Sequence, residues 1–144
     1  MPYETNWLVA DRVILIRYNG TLNSEDVQQY LEETLSMRDE ANTRLGDDGP
    51  LVHTITDASN LTGYSLKLTD MSAMLRSLRK QRVGWSIFVH PSRLERFWAS
   101  IGHQWAGVRH RELDTMTEAL MFLKEHGSLS SDEIDELLKG VPAP

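Results

Sequence analysis

The stretch NWLVADRVILIRYNG, Asn6 to Gly20, contains two runs of bulky and β-branched residues broken only at Asp11 and Arg12. Two such runs meeting at a short polar break predict an antiparallel hairpin, with Val13, Leu15 and Arg17 on one face of its second strand. Beyond it, Asn23 or Ser24 can cap a helix in which Val27, Tyr30, Leu31, Thr34 and Leu35 fall at helical spacing, an amphipathic element of about four turns. The Gly- and Pro-rich RLGDDGP, residues 44–50, reads as a loop that delivers the chain into the strand LVHTITD, residues 51–57. The following ITDASNLTGYSLKLTD, Ile55 to Asp70, reads as a strand closing at Asp57, a turn-rich middle, and a helix cap at Thr69 or Asp70.

The second half repeats this rhythm. Met71, Met74, Leu75 and Leu78 form a helical stripe, VGWSIFV (residues 83–89) a buried strand, and Leu94, Phe97, Trp98, Ile101 and Trp105 the apolar side of a further helix entered through HPS. VRHREL, residues 108–113, alternates as an edge strand does. Thr115 with Glu118, and Ser130 with Glu133, have capping-box spacing ahead of Met116, Leu120 and Leu123 and of Ile134, Leu137 and Leu138. The resulting order, β-β-α-β-α-β-α-β-α-α, predicts an α/β fold: a mainly parallel five-stranded sheet with an N-terminal antiparallel hairpin strand and helices packed on the sheet. The last helix either covers its own sheet or lends its apolar residues to a neighbouring subunit.

Composition bounds the function classes. With 144 residues, 40% hydrophobic and 25% charged, the chain suits one compact domain with its own core. The absence of cysteine excludes disulfide scaffolds, thiolate metal sites and cysteine nucleophiles. A net charge of −6 argues against a general binder of phosphate backbones, so nucleic acid is not an expected partner. The opening MPYETNWLVADRV lacks a signal-peptide pattern, and no apolar run reaches the ~20 residues of a membrane span, so a cytoplasmic protein is expected.

The hairpin and helix, followed by TDASNL, GWSIFV and VRHRELDTMTEALMFL, resemble the STAS/SpoIIAA-like group, most closely its bacterial members without an assigned role. The likeness divides the chain into a STAS/SpoIIAA-like domain over residues 1–126 and a C-terminal helical extension of the same domain over residues 127–144. It implies a non-catalytic regulatory or protein-interaction module, probing partners through its helix surfaces and self-associating, with a homodimer the simplest form. It implies no cofactor. Anti-sigma-factor antagonists of the group are switched by phosphorylation of a serine in an Asp-Ser-Ser-Gly-type turn; lipid-carrying CRAL-TRIO domains share the broader fold. Only the Asp57-x-Ser59-x-Leu61 segment carries over, and where the phosphorylated turn should follow, this chain reads GYSLKLTD, residues 63–70.

Ligands of open parallel sheets lie beyond the carboxyl ends of the strands, which selects Asn19, Asp57, Ser59, His90, Ser92 and Asp114. Asp57 and Ser59 are equally the residues of an ordinary Asx-turn. Ser65 or Thr69 could accept phosphate at a helix start, or simply belong to a turn and a cap. His90 could join Asp57 as an acid/base dyad or metal site, against the simpler reading of a hydrogen-bonded turn histidine; the five histidines show no metal-ligand spacing. Trp85, Trp98 and Trp105, with Met71, Met74 and Met116, are either plain core or the adaptable lining of a pocket. The pocket reading is the alternative function: a small carrier of an apolar or amphipathic molecule. Arg93, Arg96, Arg109 and Arg111 could meet an anionic head group or an acidic partner, or form a solvated face.

Overall fold

A computed structural model describes residues 2–65, 82–90 and 107–141. The expected stripes at Met71–Leu78 and Leu94–Trp105 lie outside these residues. Strands β1 (Tyr3–Val9) and β2 (Val13–Asn23) form the antiparallel hairpin that the opening stretch predicts. Its turn places Asp11 at a φ of 60°. Aspartate tolerates this left-handed backbone better than most residues, and the Arg44 guanidinium holds its carboxylate from outside. Four consecutive β2 residues, Val13 to Ile16, are buried, so both faces of this strand are covered.

Helix α1 (Ser24–Leu45) starts at Asn23, whose side chain accepts from the Asp26 N–H while the Asp26 carboxylate accepts from the Asn23 N–H. At 22 residues it is about six turns, longer than the four expected. The reason is physical: past Leu35 the buried stripe continues through Arg38 and Ala41, and a cation does not register as part of an apolar period. Arg38 is buried between α1 and the sheet and donates to the Thr54 hydroxyl at 2.8 Å. Burial pulls its guanidinium pKa down to about 10.

Strand β3 (His53–Ser65) overturns the expected end at Asp57. It runs parallel to β2, from Val13 opposite His53 to Asn23 opposite Ser65. The pairing absorbs extra β3 residues at two register shifts, one between Arg17 and Asn19 and one between Gly20 and Thr21. Gly20 sits at the second with a φ of 78°, a conformation that costs glycine little. The turn-forming residues of TDASNLTG are therefore bulge residues within a strand, because the long β2 offers them a ladder.

Strands β4 (Ser86–Val89) and β5 (His110–Leu113) continue the sheet in parallel, giving the order β1-β2-β3-β4-β5 with β5 at an edge. Helices α2 (Met116–His126) and α3 (Ser131–Lys139) follow, capped by Thr115 and Ser130, whose hydroxyls accept from the N–H groups of Glu118 and Glu133. The result is a three-layer arrangement. On one face Ile14, Ile16, Tyr18 and Ala58 pack with Val27, Tyr30 and Ala41 of α1. On the other, Val13, Leu15, Ile55, Ile87 and Val89 lie under Leu120, Leu123 and Ile134. Ile134 is fully buried there, so α3 covers the sheet of its own chain. Among the described residues no helix is long and apolar enough to cross a membrane.

Candidate functional site

Arg17, Asp57 and Ser59 come together midway along β2 and β3, level with the carboxyl end of β4. Arg17 and Asp57 are register partners at the last regular pair before the first bulge. Their side chains share the α2 side of the sheet, where the apolar rows of Val13–Leu15 and His53–Ile55 give way to charge. The Asp57 Oδ1 accepts from the Ser59 backbone N–H at 3.0 Å and from the Ser59 hydroxyl at 2.6 Å. Its Oδ2 stands 3.9 Å from the Arg17 Nε. The Asx geometry expected of a turn is thus present, but it spans the bulge and stiffens the strand there. Arg17 is 53% exposed and Asp57 only 17%, so the guanidinium faces solvent while the carboxylate is partly sheltered. Such a cluster can present a fixed charge and a hydroxyl to a polar partner. Its carboxylate is already engaged by two donors and a cation.

His90 follows β4 directly and is exposed, with a φ of 57°. Its backbone N–H donates to the Leu113 carbonyl at 3.0 Å, closing the β4–β5 ladder. Although Val89 is the register partner of Asp57, no hydrogen bond or ion pair joins Asp57 to His90 among the described residues. The proposed dyad is not assembled. Among the described residues no group of three or more His, Asp and Glu is placed to hold a metal ion. Ser65 ends β3 and is exposed opposite Asn23, beside the start of α1, whose first turn carries Glu25 and Asp26. Thr69, Trp98 and Trp105 lie outside the described residues.

Trp85 belongs to the opposite end of the sheet. It precedes β4, and its ring meets Phe122 edge-on at 4.9 Å with the Arg109 guanidinium 4.8 Å from its centroid. Arg111 lies 5.5 Å from the Phe122 ring, and His126 tilts against Phe122 at 4.5 Å and lies 6.2 Å from Trp85. The described candidates therefore separate into a polar group midway along β2 and β3, level with the carboxyl end of β4, and an aromatic one at the amino ends.

A residue that the sequence reading passed over organises the second group. His53 is buried at the start of β3; its Nδ1 accepts from the Trp85 N–H at 2.9 Å and its Nε2 lies 2.8 Å from the Gly127 carbonyl. These partners require the neutral ring with the proton on Nε2. Burial lowers its pKa below the ordinary value; the Gly127 bond acts against this, and the charges of Arg12 and Arg109 add to the lowering. Arg12 donates to the same Gly127 carbonyl at 3.0 Å, so one histidine and one arginine fasten the end of α2 to the sheet. Gly84 makes room for the ring: a Cβ there would stand 2.8 Å from the His53 Cε1.

This architecture is the SpoIIAA-like α/β fold. It superposes on the anti-sigma factor antagonist SpoIIAA in its unphosphorylated form with a TM-score of 0.55 at 16% identity, covering 85% of this chain and 97% of that one. The Bacillus cell fate determinant SpoIIAA in its phosphorylated form gives 0.51 at 17% identity, over 84% of this chain and 98% of that one. A protein of the DUF3478 family with a SpoIIAA-like fold, from Shewanella loihica PV-4, gives 0.54 at 15% identity, over 84% and 91% of the two chains. No family model matches the sequence. No curated protein matches it at a significant level.

Proposed function

We propose that this protein is a non-catalytic regulatory module that acts by binding another protein, working in the cytoplasm and self-associating as a homodimer. The observation that carries the reading is the fold, which follows that of an anti-sigma factor antagonist over nearly the whole length of both chains. The polar group supports it. Asp57 spends its acceptor capacity on Ser59 and Arg17, which makes the cluster a rigid recognition surface with a solvent-facing guanidinium. Regulation by phosphate at Ser65 would proceed by repulsion, since the new charge would stand beside the acidic first turn of α1.

The test has two parts. Native mass spectrometry of the purified protein, followed by denaturing intact mass, reads the oligomer and any bound molecule. A dimer of bare chains is expected; a small organic mass lost on denaturation would transfer the reading to the carrier alternative. Affinity capture from the source cells is then compared between the wild type and Arg17→Ala/Asp57→Ala. A stoichiometric protein partner, lost in the variant, is expected. Capture of none, or turnover of a substrate by the isolated protein, would overturn the proposal.

A further inference from the structure

Arg109 and Arg111 are exposed cations in a chain of net charge −6, yet neither has a carboxylate within ion-pairing distance among the described residues. Both instead lie on aromatic rings, Arg109 on Trp85 and Arg111 on Phe122, and the two rings brace each other edge to face. A guanidinium drawn to the face of a ring keeps N–H donors for an anion, at lower entropic cost than a free side chain. The backbone holds the pair in place as well. The Arg109 carbonyl accepts from the Ser86 N–H at 2.9 Å, extending the β4–β5 ladder by one residue, and Arg111 is the register partner of Ile87.

We infer that the Trp85–Arg109–Phe122–Arg111 surface is a docking strip for an acidic segment of a partner protein. The inference rests on the interaction-module reading and assigns that module a second contact, at the end of the sheet away from Asp57. The spacing selects the ligand. Residues two apart on a strand are separated by roughly 6.6 Å, so the two cations address two anionic groups in a row. A single phosphate needs donors that converge on one point, whereas carboxylates alternating along an extended peptide, or one helical turn apart, match a strip. An anionic membrane or a nucleic acid presents many phosphates at once and calls for many cations, whereas this strip offers two.

The probe is a labelled twelve-residue peptide alternating glutamate and serine, with its lysine counterpart as control, followed by fluorescence anisotropy at low and at physiological salt. The intact protein should bind the glutamate peptide and not the lysine peptide. Arg109→Glu/Arg111→Glu should weaken the glutamate peptide by at least about tenfold and admit the lysine peptide. Should that variant unfold, Arg109→Gln/Arg111→Gln gives the same reading for the first peptide with an unchanged thermal midpoint. The inference is overturned if the glutamate peptide does not bind, if the substitutions leave its binding unchanged, or if phosphatidylserine vesicles are held more tightly than the peptide. Failure here is separable from failure of the module reading: a captured partner that binds the Arg109/Arg111 variant as well as the wild type removes this strip and leaves the module intact.

Discussion

Acidification should loosen the protein through His53. The neutral ring accepts from the Trp85 N–H and donates to the Gly127 carbonyl, so a second proton on Nδ1 would face an N–H in a buried site also overlooked by Arg12 and Arg109. The folded pKa therefore lies below the ordinary 6.5. Above 6.5 neither folded nor unfolded chain is protonated at this residue, and it contributes no pH dependence. Between 6.5 and the lowered folded value the unfolded chain binds more of a proton than the folded one, so stability falls on acidification, by at most about 1.4 kcal/mol for each pH unit. Below the folded value the loss levels off. Urea unfolding followed by circular dichroism from about pH 8 to about pH 5 measures the slope, and His53→Asn supplies the control. Asparagine retains an acceptor for the Trp85 N–H but does not titrate. Every other group is common to the two proteins, so its contribution cancels in the difference. Equal slopes in wild type and variant between pH 6.5 and the acid limit would refute the argument.

Gly84→Ala should be destabilising by about 1–3 kcal/mol, because the added Cβ meets the His53 ring and the Val52 carbonyl; thermal unfolding reads it, and a neutral result would mean that the ring can move aside. Ile134→Ala should cost about 2–5 kcal/mol and raise amide exchange through α3, whereas an effect near zero would mean that α3 does not hold the core. Arg17→Ala should change stability by less than about 1 kcal/mol, since its ion pair with Asp57 is long and its side chain exposed. A larger loss in urea unfolding would show that the cluster is a structural clamp rather than a recognition surface.

The elements whose signals are local were legible in the sequence. Asn23, Thr115 and Ser130 cap helices because each needs only the N–H three residues on, and the β-branched runs around Asp11 needed only each other to form a hairpin. What the sequence concealed depends on distant partners. Asp57, Ser59, Asn60 and Gly63 favour turns in isolation, and only the ladder offered by β2 keeps them in a strand. Arg38 belongs to the buried face of α1 although its charge breaks the apolar stripe. The candidate site was half visible: the Asp57–Ser59 pair is sequence-local, but Arg17 reaches it across the sheet and His90 does not. His53 looked idle because its bonding partners are 32 and 74 residues away.

The two-sided burial of β2 has a consequence for synthesis. One side is closed by α1, made directly after it, but Val13 and Leu15 on the other wait for Leu120, Leu123 and Ile134 near the far end of the chain. At a translation rate of roughly 5–20 residues per second, that apolar face emerges from the ribosome seconds before its cover exists. A nascent chain halted after Ser65 should therefore bind a hydrophobic dye or a chaperone, and one completed through Val141 and released should not. For those seconds the growing polypeptide is a client for holdases, and its fate depends on how quickly the last two helices are delivered.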